Sequence, residues 1–332
     1  MASQDQQDQQ MVFQARQRHL RSLAIKRQQQ PQSQPMGQPM ATQYLPIVEP
    51  SDLGGIGAKP TYIVSFESAC LTGSVSIIQS VTTSKKLTPG TLHNGLRSTL
   101  RAGHVEATSL LLQLGAPITP EVPDSILFAP MDQQVPLFDL LGHHGWNPNT
   151  PDLNGALLLP RVADNIPLLK WFLAHGANPN LDPRYGLKVL EAAAAVGTVE
   201  AVQLLLDAGA HMSNGAPLYY AAGACPPGAN PHMGTVRPSA DFDNDRIPIM
   251  ELLVKRGADV NEKLETRHMV AGYPLVHAVM AGAVGRVKWL LEHGADVKLK
   301  GAFGSAVSYA NAMGTDEMKR VIRDAVDYNK SH

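Results

Sequence analysis

GTVEAVQLLLDAGA (197–210) and GAVGRVKWLLEHGA (282–295) state one phrase twice: an opening glycine, a helix-length apolar run, and a closing Gly-Ala. The closing glycine recurs at Gly115, Gly145, Gly176, Gly209, Gly257 and Gly294, at intervals of 30, 31, 33, 48 and 37 residues. A period of roughly 33 residues is the mark of a repeat array, and it has to be settled before any single residue is interpreted.

Within each phrase the apolar residues keep offsets of three and four. Val199, Val202, Leu205 and Leu206 form one such set, and Val284, Val287, Leu290 and Leu291 another. Val105, Leu111 and Leu112, then Ile166, Leu169, Phe172 and Leu173, repeat it. These offsets put each set on one face of a helix. Pro136, Pro167 and Pro248 take a common early position, where the first helical turn has no use for the missing N–H. The closing glycine suits the left-handed position just past a helix end, and alanine there would cost on the order of 1 kcal/mol. A shorter alanine-rich helix precedes several of these runs: YPLVHAVMAG (273–282), APLYYAAGA (216–224) and LKVLEAAAAVG (187–197). One such hairpin leaves an apolar face bare, so like units must stack to cover it.

GHVEATSLLLQLGA, GTVEAVQLLLDAGA, YPLVHAVMAGAVGRVKWLLEHGADV and GADVN (257–261) resemble the ankyrin repeat, with its T-P-L-H-x-A, G-H-x-E and L-L-x-x-G-A-D-V-N signatures. The likeness is weaker in the units closing at Gly145 and Gly176, where Gln133 and Asp164 replace the mid-unit glycine. Residues 65–81 fit the frame with Gly73, and residues 305–326 with Gly314. Asp316, Lys319 and Arg323 suit the wet outer face of a terminal cap. The resemblance covers about residues 62–327, some eight units. It implies an all-α solenoid of stacked helix-turn-helix units with β-hairpin-like fingers, followed by a short tail at 328–332.

Two departures stand out. Residues 223–245, GACPPGANPHMGTVRPSADFDND, are inserted between the short and long helices of one unit; they carry Asp243 and offer His232, Arg237, Asp241 and Phe242 as contacts. NEKLETRHMVAG (261–272) lengthens a finger and carries Lys263, Arg267 and His268. The resemblance implies that partners meet the fingers and the exposed first-helix positions of a concave face. By register those positions include Arg101, Phe128, Met131, Asp132, Tyr220, His277, Met280 and Tyr309, with tyrosine and arginine suited to interface anchors.

Alanine and leucine carry most of the apolar content in a chain with 5% aromatics, which favours close-packed helices over sheets. The formal charge of −1 gives no overall field toward nucleic acid or anionic membrane. Cys70 and Cys225 form neither a disulfide framework nor a zinc motif. No apolar run reaches the ~18 residues that span a bilayer, and MASQDQQDQQ lacks a signal-peptide core. His104, His144, His175 and His293 take repeat positions, and His143-His144 has no ligand companions at metal spacing. DLGGIGAKP (52–60) ends in no G-K-[ST] and reads as linker. No metal, cofactor or catalytic constellation is expected.

Fourteen of the first 43 residues are glutamine, so residues 1–60 read as a disordered tail. Residues 11–30 hold Arg16, Arg18, Arg21, Lys26 and Arg27 among Phe13, Leu20, Leu23 and Ile25, compatible with a short basic helix. Too sparse for a DNA-reading basic region, they are the one route to nucleic acid. The expectation is a monomeric, non-enzymatic scaffold or adaptor of cytoplasm or nucleus that binds another protein. The alternative is a nuclear transcriptional regulator whose N-terminal segment touches DNA or the transcription machinery.

Overall fold

The computed structural model describes residues 59–229, 238–264, 272–301 and 304–331. The tail, its basic segment and most of the 52–60 linker lie outside these, as do the middle of the insertion and the tip of the 261–272 finger. The chain divides after Leu158 into two compact units.

The first unit opens with α1 (Thr61–Thr72), α2 (Val75–Ser84), α3 (Pro89–Ala102) and α4 (Val105–Gln113). A 3-10 turn (Pro123–Phe128) and α5 (Met131–His143) complete it. The second begins with a 3-10 turn (Leu159–Val162), α6 (Ile166–Ala174), α7 (Val189–Val196) and α8 (Val199–Asp207). It continues through α9 (Pro217–Ala222), α10 (Ala240–Lys255), α11 (Pro274–Met280) and α12 (Val284–Glu292). A two-residue antiparallel pair, β1 (Lys300–Gly301) and β2 (Gly304–Ser305), leads to α13 (Ala306–Met313) and α14 (Asp316–Ser331). Both units are thus built of paired helices, as the resemblance implied. None of the described helices is long and apolar enough to cross a membrane.

All six closing glycines are left-handed, with φ between +81° and +102°. Nothing lies within 4 Å of a Cβ built on any of them, so the backbone angle alone demands glycine. Two asparagines then stitch neighbouring units in the second half. Asn180 Nδ2 donates to the Gly209 carbonyl while its Oδ1 accepts from His211 N–H. Asn261 makes the same pair with Gly294 and Asp296. These bonds reach the turn just past the end of the next long helix.

The buried face of the longer helices is shifted from the stripe expected by sequence. Val199 is 39% exposed, and Leu206, Val284 and Leu291 are only partly covered. The buried places are eight, seven and four residues before each closing glycine: Ala201, Val202 and Leu205 in α8, and Ile249, Met250 and Leu253 in α10. A small residue such as Ala107 or Ala201 occupies the tightest spot, which a search for large apolar side chains passes over.

Pro167 sits in the first turn of α6 as expected, but Pro136 and Pro248 lie inside α5 and α10. Without a glycine turn at Gln133, α5 starts directly after Pro130 and runs through the proline. The end of the insertion prolongs α10 in the same way. Each internal proline leaves the carbonyl four residues back without its helical N–H. Where the mid-unit glycine is replaced, the preceding short helix is a 3-10 turn. At the far end α14 buries Met318 and Ile322 and exposes Asp316 and Arg323, the expected pattern for a terminal helix.

Candidate functional site

In residues 59–158 three units share a 30-residue register, with Gly73, Gly103 and Gln133 equivalent. The backbone approach is close. A Cβ on Gly73 would lie 2.7 Å from the His104 ring, and one on Gly103 2.7 Å from Pro130 Cδ. His104 Nε2 donates to the Leu71 carbonyl at 2.9 Å, so this histidine joins two units rather than bonding within its own. The first-helix ends are therefore held side by side.

Two residues before each register point stand Leu71, Arg101 and Met131, all exposed, Leu71 to 62% and Met131 to 51%. The Arg101 guanidinium lies 4.3 Å from the centre of the half-buried Phe128 ring. Its charge is thereby held over an aromatic face instead of sweeping solvent. Asp132 is exposed beside Met131, its carboxylate accepting from Gln133. The structure brings Arg101 onto Phe128, and Met131 and Asp132 are exposed one unit further on. Leu71 was missed, although the same count from Gly73 reaches it; Val64 (50% exposed) and Arg97 stand at other places of the repeat, nine residues before Gly73 and six before Gly103, and are exposed as well.

Residues 159–331 fill that register differently. Ala221 and Met280 occupy it and are buried, Ala195 is small and half-buried, and Ala312 is exposed but small. Met280, expected at the surface, is 6% exposed, and His277 only 9%. His277 Nδ1 donates to the Tyr219 carbonyl at 3.1 Å while the ring stacks on Tyr219 at 4.2 Å. The cause is Gly223, where a Cβ would fall 2.0 Å from the imidazole. With no side chain there the imidazole closes in on the neighbouring helix and is submerged. Tyr219 is buried, and Tyr220 is half-buried against it at 5.4 Å. Tyr309 is half-buried and Lys263 exposed. Leu264 N–H donates to the Gly272 carbonyl across the base of the long finger, whose Arg267 and His268 lie outside the described residues.

Of the insertion, His232 and Arg237 also lie outside them. Its end is the first turn of α10, capped by the Ser239 hydroxyl, which accepts from Phe242 N–H. Asp241 faces solvent, whereas Phe242 is half-buried, with the Arg246 and Arg286 guanidiniums 5.6 and 5.7 Å from its ring centre. Asp243, noted in the insertion without a partner, is 5% exposed; Oδ1 accepts from Arg286 Nε and Oδ2 from Gly285 N–H. Burial pushes the Arg286 guanidinium below its ordinary value, and Asp243 opposes that shift.

Two further histidines bond locally. His175 and His293 donate to Trp171 and Trp289 carbonyls one turn back and stack on those indoles. Among the described residues no three His, Cys, Asp or Glu side chains group as a metal site would require.

No protein-family model and no curated protein sequence matches the chain. Among solved structures, the human ASB11 ankyrin repeat domain superposes with a TM-score of 0.41 at 16% identity, covering 78% of this chain and 96% of that one. Within this chain itself the left-handed closing glycines and paired helices recur unit by unit.

Proposed function

We propose that the protein is a non-enzymatic binding scaffold or adaptor, and that it takes another protein on the row formed by the ends of α1 and α3 and the start of α5 in residues 59–158. One observation carries this reading. Leu71, Arg101 and Met131 stand exposed on adjacent, tightly packed units, while Ala221 and Met280 at the same register in residues 159–331 are buried. Large apolar side chains held in water by a rigid backbone represent surface whose burial stabilises a complex at about 25 cal/mol per Å² before the costs of association. Arginine fixed over an aromatic ring loses little further freedom on binding and serves as an anchor.

A photo-crosslinking residue placed in the full chain at Leu71 or at Met131 tests this. Capture of the same partner protein from both sites, and none from Gln113 on the exposed side of α4, is the expected outcome. Capture that is equal from all three sites contradicts it.

A further inference from the structure

Charge and apolar surface along this row narrow the kind of partner. Arg97 and Arg101 lie four residues apart on α3 and are both exposed. Among the described residues neither has a carboxylate within ion-pair distance. The acidic groups nearby are engaged otherwise: Glu67 is paired with Lys59 at 2.7 Å, and Asp132 accepts from Gln133. Leu71, with Val64 exposed on the same helix α1, precedes Arg101 in the register, and Met131 follows it. The row therefore presents apolar side chains on either side of a cationic centre that no carboxylate among the described residues pairs.

Resting on the binding role proposed above, we infer that the row at Leu71, Arg97, Arg101 and Met131 accepts an acidic–apolar protein segment, one with a carboxylate set among large apolar side chains. The carboxylate would accept from the arginine pair in the charge-assisted geometry that guanidinium favours. The apolar side chains would cover Leu71 and Met131. Charge complementarity of this kind fixes register and rejects like-charged competitors. The chain's own segment 11–30 is such a competitor, having five basic and no acidic residues.

Selection of a displayed random 12-residue peptide library on the full-length chain tests the assignment. Selected peptides should be enriched in Asp or Glu next to Leu, Ile, Phe or Met. Their affinity should fall by about tenfold or more on Arg97→Glu/Arg101→Glu, and weaken with salt. Selection repeated on that variant should return Lys or Arg in the acidic place, and Arg320→Glu on α14 should change nothing. Selected peptides without acidic enrichment, affinity unmoved by the charge swap, failure to select any binder, or tight binding of a synthetic 11–30 peptide would overturn it. Crosslinking from Leu71 and Met131 that survives the charge swap would leave the binding role standing and remove only this partner chemistry.

Discussion

Arg286 Nε donates to Asp243 Oδ1 at 2.7 Å across the packing of α12 on α10, with the arginine fully buried. Its place, eight residues before the closing glycine, is filled elsewhere by Ala107, Leu137, Leu168, Ala201 and Ile249. One Nη also donates to the Ala221 and Ala222 carbonyls, while the other is buried without a hydrogen-bond partner among the described residues. A single charged side chain thus ties the end of the insertion, the short helix α9 and the next unit together.

Removing one partner of that pair should be severe. Asp243→Ala strands a buried guanidinium and should lower unfolding free energy by about 3–5 kcal/mol. The double change Asp243→Ala/Arg286→Leu installs the residue type found at Leu168 and should recover most of the loss. Urea melts of the three chains decide it. Additive losses in the double variant would mean that the pair does not act as one element.

Core truncation separates the observed buried face from the one expected by sequence. Leu205→Ala and Leu290→Ala remove fully buried side chains and should each cost ~2–5 kcal/mol. Leu291→Ala, at a partly exposed position, should cost clearly less. Equal losses at 290 and 291 would contradict the packing described here.

Glycine substitutions divide by cause. Gly209→Ala and Gly294→Ala meet open space and should lose about 1 kcal/mol from the positive φ alone. Gly223→Ala should lose more, because its Cβ enters the His277 ring. Near-ultraviolet circular dichroism, sensitive to the Tyr219–His277 stack, should change for Gly223→Ala and stay constant for the other two.

Alkali should destabilise the fold through its thiols. Burial pushes Cys225 up to about 11, and burial with Glu67 nearby pushes Cys70 up to about 12, from near 9. The unfolded chain therefore releases these protons first. Their contribution is intact below pH 9 and is lost as pH rises toward 11 and 12. The urea midpoint should fall between pH 8 and 10.5, and fall less in Cys225→Ala. Identical pH dependence in the two chains would exclude the cysteine.

The repeat was legible because its signals are local: a glycine that must be left-handed, helical spacing, and small residues on the inner helices. Arg101, Phe128, Met131 and Asp132 were legible by counting from the mid-unit glycines. The burial of His277 was not, since it depends on Gly223, 54 residues away, having no side chain. The pairing of Asp243 with Arg286 escaped notice because it spans 43 residues and an irregular insertion. The internal prolines of α5 and α10 escaped because a lost glycine turn in one and the end of the insertion in the other let a helix begin earlier than expected.

The central claim is that binding belongs to the row in residues 59–158. Its most direct measurement is quantitative partner recovery by a full-length chain carrying Leu71→Ser, Arg101→Glu and Met131→Ser, against one carrying Lys263→Glu, Tyr220→Ser and Tyr309→Ser, both with wild-type urea midpoints. Loss of the crosslinked partner from the first chain and its retention by the second is the predicted result; retention by the first and loss from the second would contradict it.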